Sequence, residues 1–439
     1  SGKQSLQRRV VRARYDAATT TDENRRHWAN ADGLSADAAA SPEVRRLLRN
    51  RARYEVANNS YAKGIVLTIA NGVVGTGPRP QAMTDDDAVN VAVERAFKEW
   101  ADEVCLPDKL RTMRMARITD GEAFALLSSN PRLTTPVKLD LRLIEADQVT
   151  TPGLSFTASP HEVDGIVFDG FGNPVEYHVL RQHPGDMRSF GGVVAEFDRV
   201  PAESIIHYYR ADRPGQSRGI PDITPALPLF AQLRRYTLAV IAAAETAADF
   251  AGLLYTEAPA DADPNNVDLP EIEIMPRMLV PLPSGWRAEQ MRAEQPATTY
   301  EMFHRAILGE ITRCLLVPYN VATGNSSGFN FASGRLDTQA FYKSVEIDRQ
   351  QMERIILRRV FDAWFGEAVL IEGYLPQAVR ARGVRIPLSW FWDGCEHVDP
   401  VKEASAQAIR LAHGLTTLAA EYAKQGRPCF AYSAASVVS

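Results

Sequence analysis

The sequence predicts an α+β protein of several domains, and three observations carry that prediction. The chain has 439 residues, which at about 150 per domain suggests roughly three domains. Hydrophobic residues make up 45% and charged residues 23%, the balance of an ordinary folded chain and not of a disordered, collagen-like or disulfide-stapled one. Apolar residues recur at helical spacing towards both ends, whereas short strand-like runs fill the stretch from Glu122 to Tyr209.

Residues 1–40 read as a polar arm carrying Arg8, Arg9, Arg12 and Arg14. Ser41 is a good N-cap, Pro42 suits the first helical position and Glu43 the first turn, so a helix spans Pro42–Asn58. Tyr61–Val74 is a second, more apolar helix, halted by Gly75-Thr76-Gly77-Pro78. In a third, Asp86–Asp102, Val89, Val93, Ala96, Phe97 and Trp100 share one face. Arg111–Ile118 continues as helix until Asp120-Gly121 breaks it. Strands are expected at Phe124–Leu127, Leu139–Ile144, Gly165–Phe168, Val175–Leu180 and Ile205–Tyr208, with a hairpin turn at Asp169–Pro174.

After the loop Arg213–Gly219 and Pro225, a long helix runs to about Gly252 with Leu227, Phe230, Leu233, Leu238, Ile241 and Ala248 mostly on one face. Pro259–Pro296 is a Pro- and acid-rich insert with strand-like pieces at Glu271–Met275 and Met278–Leu282. Helix Thr299–Leu316, polar loop Val317–Gly334 and helix Arg335–Phe365 follow. Asp399 then caps a helix with Pro400 at its first position and Gly414 just past its end, and Thr416 or Thr417 opens another that stops at Gly426. The tryptophans Trp100, Trp364, Trp390 and Trp392 are assigned to the core.

The residues also exclude much chemistry. Cys105, Cys314, Cys395 and Cys429 form no CxxC pair, which fits a reducing compartment and no zinc knuckle. No apolar run reaches the ~20 residues of a membrane span; Leu238–Tyr255 is interrupted by Glu245 and Asp249. No apolar stretch follows the first arginines, so they are not a secretory signal. The chain begins at Ser1 and not at Met, as a processed or trimmed product would. There is no GxxxxGK[ST], no GxSxG and no HExxH, and Pro78 spoils a dinucleotide reading of Gly72, Gly75 and Gly77. His207, in an apolar strand, reads as a satisfied core histidine, and His178 and His183 as solvated ones. No catalytic, metal or cofactor residue is assigned.

Four blocks carry a resemblance. The first is Arg51–Gly64 with Asn71–Gly77 and Pro80-Gln81; the second is Asp120-Gly121-Glu122 with Ile144–Asp147. The third is Val200–His207 followed by Arg213-Pro214-Gly215-Gln216-Ser217-Arg218-Gly219-Ile220-Pro221 and Pro225-Ala226-Leu227. The fourth is Trp392 with Val398-Asp399-Pro400-Val401-Lys402-Glu403. In order and spacing, from about Arg45 to about Gly426, the chain resembles the portal proteins of tailed bacteriophages, in their lambda-like branch. The segment Asn330-Phe331-Ala332-Ser333-Gly334-Arg335 departs from the family's Asn-Tyr-Ser-Ser-x-Arg by the loss of two hydroxyls.

The resemblance implies a ring, typically a homododecamer, at one capsid vertex of the virion, assembled in the host cytoplasm. Double-stranded DNA would enter through it, driven by a separate terminase, and leave through it on ejection. Its other implied partners are a head-completion or adaptor protein and the major capsid and scaffold proteins, with no membrane. The implied protomer has a strand-rich wing (41–221), a stem helix (222–252), a small α/β clip (253–298), a second stem helix (299–316), a tunnel loop (317–334), a long kinked helix with a wing return (335–384) and a helical crown (385–439). Tunnel-loop residues facing DNA would be Asn320, Thr323, Gly324, Asn325, Ser326, Ser327, Gly328, Asn330 and Arg335. Clip acids Asp261, Asp263, Asp268, Glu271 and Glu273 would meet terminase, and the N-terminal arginines would reach a neighbouring subunit.

Charge fits this picture. The net charge is −5, without the basic excess of a protein that grips DNA. It divides into +5 over residues 1–55 and −10 over the rest, and a weakly acidic body suits a conduit through which DNA must slide. Two competing readings are another capsid or neck ring protein, which would lack the stem–clip–stem order, and a packaging nuclease, which would need a metal-binding carboxylate cluster and an ATPase motif.

Overall fold

A computed structural model of the chain describes residues 16–151, 161–186, 196–248, 252–256, 286–290, 297–328, 330–380, 386–394, 400–416 and 421. A single turn, α1 (Ala36–Ala39), leads into α2 (Pro42–Asn58), where Ser41 accepts the Val44 amide and Pro42 opens the first turn. Asn59 then caps α3 (Ser60–Val74), which is buried along Ile65, Val66, Ile69 and Val73. Asp86 caps α4 (Asp87–Glu103), and α5 (Leu106–Asp120) starts earlier than the sequence suggests because Pro107 sits in its first turn. The short strand β1 (Arg79–Ala82) precedes α4.

Two antiparallel sheets follow. β2 (Glu122–Ser129) lies between β3 (Leu139–Ile144) and β8 (Ile205–Tyr209). The second sheet runs β4 (Glu162–Val163), β5 (Ile166–Phe168), β6 (Pro174–Leu180) and β7 (Phe197–Pro201) in sequence order. Phe124, Ile144, Val149, Ile166, Tyr177, Val179 and Ile205 form a small core of their own where these strands meet. The expected hairpin is present as β5–β6.

The remaining helices are α6 (Leu227–Ala248), α7 (Ala297–Cys314), the short α8 (Tyr319–Thr323), α9 (Phe331–Met352), α10 (Arg358–Ala368), α11 (Gln377–Arg380) and α12 (Pro400–Ala412). A π-helical turn, Glu353–Leu357, joins α9 to α10, so the predicted long helix is one element with a local change of pitch. The strand β11 (Leu388–Phe391) returns to pair with β1. Strands β9 (Gly252–Thr256) and β10 (Trp286–Gln290) pair at the far end of α6 and α7. The expected strands Glu271–Met275 and Met278–Leu282 lie outside the described residues.

One large core joins the helices to the β2 sheet. At its centre Trp100, Trp364, Phe97 and Phe361 pack together, Phe97 and Trp364 edge to face at 5.1 Å and the other pairs tilted. The Trp100 indole N–H donates to the Leu139 carbonyl at 2.8 Å. Trp392 is buried and Trp390 half-buried against the same cluster.

Two expectations need correction. His178 is not solvated: it is buried on β6 between Glu162 and Glu176. Nor is 317–334 a loop throughout. Val317 and Ala322 are buried, so α8 packs into the main core, and the exposed described residues between α8 and α9 are 324–328 and Asn330.

Candidate functional site

Three of the four sequence blocks converge on one buried cluster of charge. Arg218 is completely buried. Its guanidinium donates to both Glu122 carboxylate oxygens at 2.6–3.0 Å, to the Val149 and Ala146 carbonyls, and to Asp164. Glu122 opens β2 and also accepts the Gly219 amide at 3.0 Å. His207, opposite on β8, lies 2.9 Å from Glu122 and is sandwiched between Phe124 and Tyr209 at 4.3 Å each. Burial alone would raise the Glu122 carboxyl, but the Arg218 charge and the bonds from His207 and Arg218 hold it well below the usual carboxylate range. Burial holds the His207 imidazole below its ordinary value against the pull of Glu122.

Glycines make this approach possible. Gly121 has φ +88°, and a Cβ there would lie 2.5 Å from the Ile220 carbonyl carbon. A Cβ on Gly219 would lie 2.1 Å from the Gly121 carbonyl oxygen. The two backbones therefore touch, and that contact delivers Arg218 to Glu122.

Helix α2 supplies the second half of the cluster. Arg45 bonds Asp164 and the Ala40 carbonyl. Arg49 reaches Asp147 at 2.9 Å, and Arg53 reaches Asp120 at 2.6 Å and Asp147 at 2.8 Å. The buried face of α2 is thus Arg45, Arg49, Ala52 and Glu55, while Val44, Leu47 and Tyr54 are exposed. This inverted amphipathicity is the signal that sequence reading missed: arginines at i, i+4 and i+8 mark a face turned inward. Glu145, Asp147 and His183 come within 4.8 Å of one another, but Arg53 already stands between the two carboxylates as their cation.

The loop before α6 is tied to the arm. Asp37 accepts the Ser217 amide and hydroxyl at 2.8 Å each, and Arg213 donates to the Leu34 carbonyl. Gln216 is buried and braces the loop by accepting the Asp212 amide and donating to the Arg218 carbonyl, while Pro214 and Gly215 are exposed. A second ionic cluster joins α5 to α9: Arg114 and Arg117 share Asp348 and Asp222, and Arg117 also donates to Tyr208. Arg349 on α9 closes the end of α3 by donating to the Gly72 and Val73 carbonyls.

The stalk formed by α6 and α7 differs. Tyr236 stacks on Tyr300 at 5.7 Å, while Ala226 lies beside Cys314 at the other end, so the helices run antiparallel. Leu227, Phe230, Leu233, Ile307, Leu308 and Ile311 seal the base into the main core. Beyond it, no residue from Arg234 to Glu245 or from Thr299 to Ala306 is buried. Leu238, Ile241, Met302 and Phe303 stand exposed.

The structure separates the predicted loop residues. Asn320 is buried in α8, and Thr323 is half-buried and bonded to the Tyr319 carbonyl. Gly324, Asn325, Ser326, Ser327 and Gly328 are exposed, with Asn325 accepting from Ser327. Asn330 caps α9 through the Ser333 amide at 2.8 Å, and Arg335 is exposed one turn on. Pro400, Lys402 and Glu403 lie on the first turn of α12. Asp399, the clip acids Asp261, Asp263, Asp268, Glu271 and Glu273, and the arginines Arg8 to Arg14 lie outside the described residues.

Buried charges thus tie helices to sheets, and part of the exposed apolar surface, Leu238, Ile241, Met302 and Phe303, sits on the two-helix stalk. The chain belongs to the lambda family of phage portal proteins, whose family model matches residues 22–349. Portal proteins of this family are structural, non-enzymatic components of the capsid. Over 388 residues the chain is 26% identical to a probable portal protein of Halomonas phage phiHAP-1, covering 82% of this chain and 73% of that one. Among solved structures, it aligns with the neck of a native gene transfer agent particle computed with C12 symmetry at TM-score 0.46 and 14% identity, over 88% of this chain and 94% of that chain. It also aligns with the neck of an empty gene transfer agent particle computed with C6 symmetry at TM-score 0.49 and 13% identity, over 90% of this chain and all of that one. Among the described residues, no helix is long and apolar enough to cross a membrane.

Proposed function

We propose that copies of this chain close into a ring at a capsid vertex and that double-stranded DNA passes through its centre during packaging and ejection. The observation that carries the reading is the stalk: two helices sealed at the base, with no buried residue from Arg234 to Glu245 or from Thr299 to Ala306. Such a pair is marginal in isolation and needs neighbours to cover Leu238, Ile241 and Met302. A ring supplies them by heterologous contacts that close on rotation.

The connection between α8 and α9 gives the channel its character. From Gly324 to Gly334 no side chain is charged, and the exposed part offers Asn325, Ser326, Ser327 and Asn330. Each phosphate neutralised by a cation adds affinity through counterion release, so an uncharged rim lets a duplex move. The segment 253–298, which joins α6 to α7 in sequence, is the docking platform for terminase and later for a head-completion protein. In this reading the residues around α12 face the capsid interior, assembly takes place in the host cytoplasm, and the finished ring resides in the virion.

Electron microscopy of the purified protein tests this. Rings with a central channel wide enough for a duplex are expected; persistent monomers at high concentration would overturn it.

A further inference from the structure

His178, buried on β6, has a carboxylate at each end of its ring. Nε2 lies 3.2 Å from Glu176 Oε1 on the same strand, and Nδ1 lies 3.3 Å from Glu162 Oε1 on β4. Nδ1 is shut off from solvent, so the group that answers it is the Glu162 carboxylate. Phe197 of β7 closes one side of the ring edge-on at 5.3 Å. Gly165, just before β5, contributes a carbonyl that accepts the His178 amide at 2.8 Å. Glu162 Oε1 also accepts the Thr151 hydroxyl at 2.9 Å. The remaining charge nearby is Arg199 of β7, largely exposed and 3.9 Å from Glu176 Oε1.

A neutral imidazole has one N–H and one lone pair. Whichever nitrogen lacked the proton would aim its lone pair at a carboxylate oxygen. The imidazolium alone donates at both ends. His183 offers the contrast: its Nδ1 accepts the Gly185 amide at 3.0 Å while Nε2 faces Glu145 at 3.3 Å, so a neutral ring suffices there. The strand that His178 reaches is weak on its own account. β4 has two residues at the edge of its sheet, paired as Glu162 with Val167 and Val163 with Ile166. So short a ladder adds little, and a side-chain tie counts for more.

We infer that His178 is a proton-operated clamp. As the imidazolium it ties Glu162, and with it β4, to β6; loss of its proton releases β4 and bares the edge of β5. The fastening is present in mild acid and is lost as rising pH takes the proton from the ring. It is lost also below about pH 4.3, where glutamates protonate. The inference does not depend on the ring reading above.

Mass spectrometry of the full chain from about pH 5 to about pH 9, a span that brackets histidine titration, tests it. Exchange of the His178 Cε1–H follows protonation of the ring. Amide exchange of residues 161–168, corrected for the intrinsic effect of pH, follows the edge strand. The readout is local because a sheet edge opens without unfolding the body. Protection of 161–168 should fall about tenfold as His178 deprotonates, the scale of one hydrogen bond to a charged group. His178→Gln, which gains no charge, should make that protection independent of pH. Glu162→Gln should do so too but keep the strand protected at high pH, because its amide can donate to the neutral Nδ1. Unchanged protection of β2 shows that each variant is folded. Protection of 161–168 that stays flat while His178 titrates would overturn the clamp, as would the parent's pH response persisting in His178→Gln. A ring already neutral at about pH 5, or still charged at about pH 9, would overturn it as well.

Discussion

Around Arg218 each charged group faces another charged or polar group of the same chain, whereas along α6 beyond Leu233 no side chain up to Glu245 is buried at all. The first region is complete within one protomer. In the proposed ring the second is half of an interface. Buried ion pairs add little net stability over apolar packing, but they tolerate one arrangement and punish the rest, which suits a body that must hold its shape. Exposed Leu238, Ile241 and Met302 tolerate many arrangements until another surface covers them.

The largest expected effect comes from breaking the body. Glu122→Ala strands Arg218 and should cost about 3–5 kcal/mol, read as a loss of denaturant midpoint. A pair of truncations then sharpens the contrast within one helix. Phe230→Ala, at the sealed base, should cost about 3–5 kcal/mol. Leu238→Ala should leave the isolated protomer within about 0.5 kcal/mol and instead weaken assembly. Equal losses at the two sites would erase the distinction.

Next comes Gly121→Ala, which meets both a positive φ and the backbone of Ile220; about 1–3 kcal/mol is expected from the melting temperature. Acid should act on the body in two stages. His207 has a folded pKa below its unfolded value of about 6.5, so the stability tied to its neutral form is full above that pH and is lost as pH falls through the folded value. Glu122 is also lowered, so its contribution is present above about pH 4.3 and is lost below it. Melting temperature against pH should therefore decline from below about 6.5, and His207→Gln should remove that upper stage. The smallest effect is a gain: Leu316, exposed with φ +58° at the end of α7, stands where glycine fits, and Leu316→Gly should stabilise by about 1 kcal/mol in thermal unfolding.

Much of the body was legible in the sequence because its signals are local. Ser41-Pro42, Asp86 and the Asp169–Asn173 turn each announce an element through its own caps. The site was less legible because its parts meet across long separations. Glu122 and Arg218 are both in quoted motifs, yet nothing along the chain says they touch; that follows from Gly121 lying against Gly219. Burial of Asn320 was missed for a different reason: a polar run with glycines reads as loop, and α8 is too short to show a period. Strands β9 and β10 went unread because each has five residues and its partner lies beyond a long insert.

The central claim is that the body is finished within one protomer and the stalk is finished by neighbours. Hydrogen–deuterium exchange on dissociated protomers and on assembled protein tests it directly. The account predicts that α5 and β2 amides are protected in both samples, while α6 amides from Arg234 to Glu245 exchange fast in the protomer and slowly in the assembly. Equal protection of that stretch in the two samples would contradict it.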